Sequence, residues 1–428
     1  MQQKQQAIEK NKLTSTATSR CRFCGSRLGA TFVDLGLSPL CESFVTAERL
    51  AEGEVFYPLH AKVCGECFLV QLDHVVRADV IFTDDYAYFS SYSESWLKHA
   101  STYVDMISRR LSLNGDSLVV ELASNDGYLL QYFVEKGISV LGVEPSANVA
   151  EAAAKKGVPS LVKFFGVKTA REMLAEGFAA DLIIGNNVLA HVPDINDFVA
   201  GIRILLNPGA VATLEFPHLA RLIAESQYDT IYHEHFSYLS LSTVETIASA
   251  HGLVLFDVEE LPTHGGSIRV YLRGDEDYSK PVTEAVANLR KREIALGLNT
   301  IEAYTDFTAK VIESKRALLD LLIRLRREGK TIAAYGAPGK GNTLLNYCGI
   351  RTDLLDFIVD RNPFKHGRFT PGTRIPIYPT EYLAEARPDY ILILPWNLKT
   401  EIVSQLGYAR KGWGAKFIVP IPTATVLD

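Results

Sequence analysis

The chain has 428 residues, of which 47% are hydrophobic and 22% charged, with a formal net charge of -6. That balance is the one of a globular enzyme with two or three domains, too long for a single ordinary core. The acidic excess disfavours a nucleic-acid partner, which needs a concentrated basic face, and no apolar stretch reaches bilayer-spanning length.

The first residues, Met1-Gln2-Gln3-Lys4-Gln5-Gln6, carry no apolar run of the secretory type. Residues 1–18 read as a disordered polar tail, and the expected compartment is the cytoplasm. Next come Cys21-x2-Cys24 and Cys64-x2-Cys67. Two such pairs in a reducing compartment predict a structural zinc site of four thiolates, because the x2 spacing lets both sulfurs of a turn face one ion. The module is expected over 19–80, while Cys41 and Cys348 read as small buried hydrophobes.

Asp84 to Ser93 is rich in tyrosine and serine and reads as a hydroxyl-bearing loop, followed by a helix from about Glu94 to Leu113. Residues 119–130 then read Val-Val-Glu-Leu-Ala-Ser-Asn-Asp-Gly-Tyr-Leu-Leu, and Val140-Leu141-Gly142-Val143-Glu144 follows. This is a βαβ unit with a helix near Tyr128–Lys136, a small-residue turn, and an acid placed for ribose hydroxyls. The turn lacks both the dinucleotide and the P-loop glycine spacing. A cofactor with a ribose but no pyrophosphate fits better, which points to S-adenosylmethionine over Glu121, Ala123, Asn125 and Gly127, with Glu144 on the ribose. Strands at 181–185 and 210–216, the latter preceded by an Asn207-Pro208-Gly209 turn, extend a mostly parallel, doubly wound α/β sheet over 81–278. Its carboxyl ends carry Glu121, Glu144, Asn186, Asn187 and Glu215, and Asn186 and Asn187 are further cofactor candidates.

Tyr232-His233-Glu234-His235-Phe236-Ser237-Tyr238 is the densest run of proton-transfer groups, ahead of a helix from about Ser242. Histidine, with a pKa near ~6.5, accepts protons at neutral pH, and tyrosine can donate to an oxyanion. Residues 279–330 carry the 3.6-residue period of a helical connector stopping at Gly329. A second α/β unit over 331–428 opens with a strand at 331–336, a turn Ala337-Pro338-Gly339-Lys340-Gly341-Asn342, and strands at 357–360 and 390–395. It resembles a degenerate copy of the middle unit. Gly336, Lys340 and Asn342 are candidates to seat phosphates at its helix start.

Taken in order, the CxxC pairs, Glu-Leu-Ala-Ser-Asn-Asp-Gly, Asn187-x3-His191, Tyr-His-Glu-His and His264-Gly265-Gly266-Ser267-Ile268-Arg269-Val270 resemble the sugar C-methyltransferases. Those enzymes add a branch methyl at C-3′ of a nucleotide-linked 4-keto-6-deoxyhexose. The resemblance implies a zinc-binding N-terminal domain, a class I methyltransferase (Rossmann-like) middle domain and a similar C-terminal domain around the active site. It implies His235 as the base, Tyr232 and Glu234 as its neighbours, and His191 in the cleft. It also implies a tyrosine reaching the sugar, Tyr86 before Tyr88, and a substrate-side His264. The partner is then a nucleotide-diphosphate 4-keto-deoxysugar, with no nucleic acid or membrane, and a monomer is the default oligomeric state. Competing readings are a methyltransferase for another small molecule or a protein, and an NAD(P) oxidoreductase using Gly336-x2-Gly339-x-Gly341 with Asp360.

Overall fold

The computed structural model describes residues 19–76 and 90–427. The expected tail, most of the tyrosine-rich loop, and the candidates Tyr86 and Tyr88 lie outside those residues.

The N-terminal module is an antiparallel sheet of β1 (Ala30–Ser38), β2 (Tyr57–Val63) and β3 (Val70–Leu72). The middle unit contributes β4 (Leu118–Leu122), β5 (Ser139–Val143), β6 (Ser160–Leu161), β7 (Ala180–Asn186) and β8 (Leu206–Pro217). A two-residue strand, β9 (Ser237–Tyr238), leaves the middle unit and pairs with β3, so the module's sheet runs β1-β2-β3-β9. A hairpin of β10 (Leu253–Leu261) and β11 (Ser267–Gly274) completes the middle sheet in the order β10-β11-β8-β7-β4-β5-β6.

Val119, Val120, Leu122, Leu182, Ile183 and Ile184 are all buried, as parallel strands covered on both faces require. Only β11 runs antiparallel to its neighbours β8 and β10. The hairpin was not among the expected strands because Asp257, Glu259, Glu260, Arg269 and Arg273 interrupt its apolar runs. Most of those charges are neutralised in pairs such as Arg269–Glu215 at 2.6 Å, while Arg273 bonds the Lys280 and Gly274 carbonyls. Asn207-Pro208-Gly209 does not precede the fifth strand but lies within it, at a register break where Ala180 faces Leu206 and Leu182 faces Val211. The helix after β4 is only Leu130–Val134, shorter than expected, whereas Glu94–Leu111 runs close to its expected span.

The C-terminal unit comprises β12 (Ile332–Tyr335), β13 (Phe357–Asp360), β14 (Ile377–Pro379), β15 (Tyr390–Ile393), β16 (Lys416–Val419) and β17 (Thr425–Leu427). Its order, β14-β13-β12-β15-β16-β17, repeats the order β6-β5-β4-β7-β8-β11 of the middle unit, including the antiparallel last strand. In each sheet the strand order reverses at the first strand, which opens a crevice at its carboxyl end: residues 123–127 in one and 336–341 in the other.

The connector is Glu284–Ala295, Glu302–Thr305 and Phe307–Arg327. Phe307 stacks on Phe32 with centroids 4.5 Å apart. A single apolar core then runs from Phe32, Leu59 and Leu72 through Tyr228, Ile231 and Phe307 to Ile332, Ile358 and Leu392. The N- and C-terminal units thus share one core, while the faces of the middle sheet pack separate ones. No helix among the described residues is long and apolar enough to cross a membrane.

Candidate active site

The sulfurs of Cys21, Cys24, Cys64 and Cys67 lie within 4.8 Å of one another. The Cys21–Cys67 and Cys24–Cys64 separations are 3.6 and 3.5 Å, against about 3.8 Å for the edge of a tetrahedron with Zn–S near 2.3 Å. The buried Gln71 amide donates to Cys21 Sγ at 3.1 Å, as a partner of a thiolate would. The donor set therefore fits zinc.

At the end of β4, Ala123, Asn125 and Gly127 all take positive φ, folding the backbone into a tight crook. Gly127 is required by packing as well as conformation: a Cβ there would meet Val158 at 3.1 Å and Ala153 at 3.2 Å. Glu144, ending β5, accepts from Asn125 N–H at 3.0 Å and Ser146 N–H at 2.9 Å. It braces the crook and keeps further lone pairs for other donors. Burial raises its pKa against these bonds. Glu121 is buried, which holds its pKa well above the usual carboxylate range, and its Oε2 has no partner among the described residues. At the end of β7, both amide atoms of buried Asn186 are likewise unpartnered. Orphaned polar atoms around a crook without phosphate-binding glycines fit S-adenosylmethionine.

The segment after β7 and the segment before β9 bring two histidines together. Thr230 C=O accepts from His235 Nδ1 at 2.8 Å; a carbonyl can only accept, so Nδ1 carries the proton and Nε2 the lone pair. The His235 ring lies 4.0 Å from that of Tyr232 and 4.6 Å, edge-on, from that of His191. Burial, then the neighbouring His191, pushes the His235 pKa well below its usual value, and burial takes His191 to about 4. Both rings are neutral at pH 7. His233 turns to the zinc module, with Nε2 on Pro58 C=O at 3.3 Å and its ring edge-on to Tyr57. Glu234, raised to about 8 by burial and by Glu42, receives Cys41 Sγ–H at 3.6 Å. Cys41 is buried as expected, yet it touches this cluster.

His264 sits in the left-handed region (φ 54°) and pairs with Asn187 Nδ2 at 3.1 Å. In the C-terminal turn, Gly336 has φ 82° and a Cβ there would meet Pro395 at 2.7 Å, so only glycine fits the position. Asn342 is buried and donates to Cys41 C=O at 2.6 Å, tying the two terminal units together. Of these three, Lys340 alone lies among cleft groups. Its ammonium bonds Asn397 and sits 5.0 Å over the Trp396 ring, two residues that line a cavity of about 460 Å³ together with Arg221, Lys399, Glu225 and Glu260. Both Asp360 oxygens are engaged by the backbone, at Ala337 N–H (2.6 Å) and Asn362 N–H (2.7 Å), so this acid closes its own turn. The N–H of Ser90 bonds Asn125 Oδ1 at 2.9 Å, joining the end of the tyrosine-rich loop to the cofactor crook.

Sequence reasoning passed over Asp229, whose Oδ2 accepts from Trp396 Nε1 at 2.7 Å, and Trp96 and His99, which stack at 4.9 Å near Glu215 and His264. An acid within Tyr228-Asp229-Thr230-Ile231 and an i,i+3 aromatic pair were the available signals.

The seven-stranded order with its antiparallel β11, and the crook at the end of β4, define a class I S-adenosylmethionine-dependent methyltransferase. Family models described as "Putative zinc binding domain", "Methyltransferase domain" and "C-methyltransferase C-terminal domain" match residues 21–82, 96–258 and 262–422. A curated relative, C-methyltransferase NovU of Streptomyces niveus, is 37% identical over 95% of this chain and 96% of that protein. Among solved structures, the PH0226 protein from Pyrococcus horikoshii OT3 aligns at TM-score 0.37 and 16% identity over 44% of this chain and 95% of that one. Magnesium protoporphyrin IX methyltransferase from Synechocystis PCC 6803 aligns at TM-score 0.31 and 15% identity, over 42% and 81%. The chain belongs to the C-methyltransferase family with an N-terminal zinc-binding domain, and it is an S-adenosylmethionine-dependent C-methyltransferase.

Proposed function

We propose that the methyl acceptor is C-3 of a nucleotide-linked 4-keto-deoxysugar, and that His235 removes the C-3 proton to form an enolate. The observation that carries this reading is the His235–Thr230 bond, which fixes Nε2 as the acceptor in a half-buried, neutral ring. A 4-keto group acidifies the neighbouring C-3 proton, so a neutral imidazole is a competent base. The proton goes to Nε2, giving an imidazolium whose Nδ1–H stays on the Thr230 carbonyl. Charge then develops on O-4, where hydrogen-bond donors lower the barrier. Tyr232 lies against His235 for that task, His191 is adjacent, and Glu234, neutral at pH 7 with its pKa near 8, can donate rather than repel. Tyr86, or Tyr88, is proposed to complete the donor set, with His264 on the substrate side.

Bound S-adenosylmethionine would supply an electrophilic methyl group on its sulfonium. Glu121, Ala123, Asn125, Gly127, Glu144, Asn186 and Asn187 are proposed to form its seat. The nucleotide end is proposed to lie along the turn of Gly336, Lys340 and Asn342, with Lys340 as the charge for its phosphates. The four clustered cysteines are proposed to hold zinc in a structural role, since among the described residues no histidine or carboxylate joins them to leave an open position.

The test is exchange of the substrate C-3 proton with deuterated water in the presence of S-adenosylhomocysteine, which separates proton abstraction from methyl transfer. Wild-type protein should exchange, and His235→Asn should exchange and turn over about 10²–10⁴-fold more slowly with unchanged cofactor affinity. Equal exchange by both proteins would remove His235 from the role of base and pass it to His233 or Tyr232.

A further inference from the structure

Arg22 stands inside the first CxxC turn, between two of the clustered cysteines, yet its side chain serves the other end of the site. One guanidinium nitrogen donates to Leu72 C=O at 2.7 Å and another to Phe236 C=O. Its own N–H is held by Gln71 Oε1 at 2.9 Å, and Gln71 in turn donates to Cys21 Sγ. Phe236 is the residue after His235. Its carbonyl also accepts from Leu72 N–H at 3.0 Å, and its N–H donates to Ala190 C=O at 2.7 Å, one residue before His191. The carbonyls of Arg22 and Phe23 accept from the Asn196 amide at 3.0 and 2.9 Å. The cysteine knuckle, the segment carrying His235 and the segment carrying His191 therefore meet at one residue, Phe236.

We propose that Arg22 is a positioning residue for the methyl-transfer reaction, acting through the Phe236 carbonyl to hold the His235 and His191 rings in register. A guanidinium suits this task because its planar fork reaches two carbonyls at once, which a single ammonium cannot do with the same geometry. Side chains that orient reacting groups from behind carry effects of about 10–100-fold, and a 1 Å misplacement costs about 10²-fold. The catalytic half of this inference rests on His235 being the base; the structural half, from Arg22 to the His235 ring, does not.

The experiment uses the full-length zinc-loaded protein with Arg22→Lys and Arg22→Met, each checked for metal content and melting temperature. Long-range ¹⁵N–¹H spectra of histidine-labelled protein, with His235 assigned from His235→Asn, read the ring tautomer without any substrate. The wild-type spectrum should show His235 protonated at Nδ1, and Arg22→Met should lose that single-tautomer signature while keeping its metal and its affinity for S-adenosylhomocysteine. Its kcat should fall about 10–100-fold at unchanged cofactor affinity, with partial recovery on adding guanidinium ion and a smaller loss in Arg22→Lys. An unchanged His235 tautomer in both variants would overturn the proposal. So would loss of metal and fold in both, which would confine Arg22 to the knuckle. A changed tautomer with unchanged kcat would keep Arg22 as the support of His235 but refute its part in the reaction, and with it His235 as the base.

Discussion

At the scale of single residues, two carboxylates of the cleft have checkable consequences. Glu144 braces the crook through two backbone N–H groups, so Glu144→Ala should weaken S-adenosylhomocysteine binding by about 1.5–3 kcal/mol, the cost of losing bonds to a charged group. Calorimetry reads this directly, and an unaltered dissociation constant would take Glu144 out of the cofactor seat. Glu234 gives a pH signature. Its folded pKa, near 8 through burial and the Glu42 charge, lies above that of an exposed glutamate. The native state therefore keeps a proton that the unfolded chain has released, and stability falls as pH rises toward 8, by at most about 1.4 kcal/mol per pH unit. The half-buried cleft histidines act in the opposite sense but lower down, since His191 and His264 titrate at about 4 when folded and near ~6.5 when unfolded. Urea unfolding compared at pH 7 and pH 8.5 should show a loss in wild type that Glu234→Gln lacks; parallel losses would mean that Glu234 is ionised in the native protein.

At the scale of elements, the module boundaries are sealed by buried charge rather than by linkers alone. Glu293, on the connector helix Glu284–Ala295, accepts from Leu241 N–H at 2.7 Å, Ser242 N–H at 2.9 Å, Ser242 Oγ at 2.6 Å and His218 Nε2 at 2.7 Å. It thereby caps the helix Leu241–Ala250 at its positive end, from a different element. Glu293→Ala should destabilise the protein by about 3–5 kcal/mol, because three donors and a histidine lose a buried partner. A melting temperature within a degree of wild type would show that water replaces the carboxylate. The elements legible in the sequence were those with short apolar runs that end at a carboxylate or amide, such as β4, β5, β7 and β13. The β10–β11 hairpin was illegible because its charges find their partners on other strands and helices, at Arg269–Glu215, Arg269–Glu259, Arg110–Asp257 and Arg292–Glu260. No local pattern announces a pairing between residues 54 or 10 apart.

At the scale of the whole molecule, the site is assembled from pieces that the sequence kept apart. Tyr-His-Glu-His was visible as a cluster, and the two CxxC pairs as a metal module, but their union through β3 and β9 depends on a pairing across 160 and more residues that only the fold supplies. The same holds for the bond from Asn342 Nδ2 to Cys41 C=O, which ties the C-terminal turn to the N-terminal module across the length of the chain. The shared core makes a prediction of its own. Phe32, Leu59 and Leu72 pack with Ile332, Ile358 and Leu392 in one apolar body, so the N-terminal module has no separate core to fall back on. Truncation after residue 330 should therefore unfold the module as well as delete the last unit, even with zinc present. Hydrogen exchange in rising denaturant should show residues 30–38, 57–63, 332–335 and 390–393 opening with one free energy, as a single cooperative unit. Adding S-adenosylhomocysteine should slow exchange first at 118–127 and 139–146, on the middle sheet. If residues 30–63 opened well before 332–335, the two terminal units would be independent domains in contact, and a module bearing its metal alone should then fold without the rest of the chain.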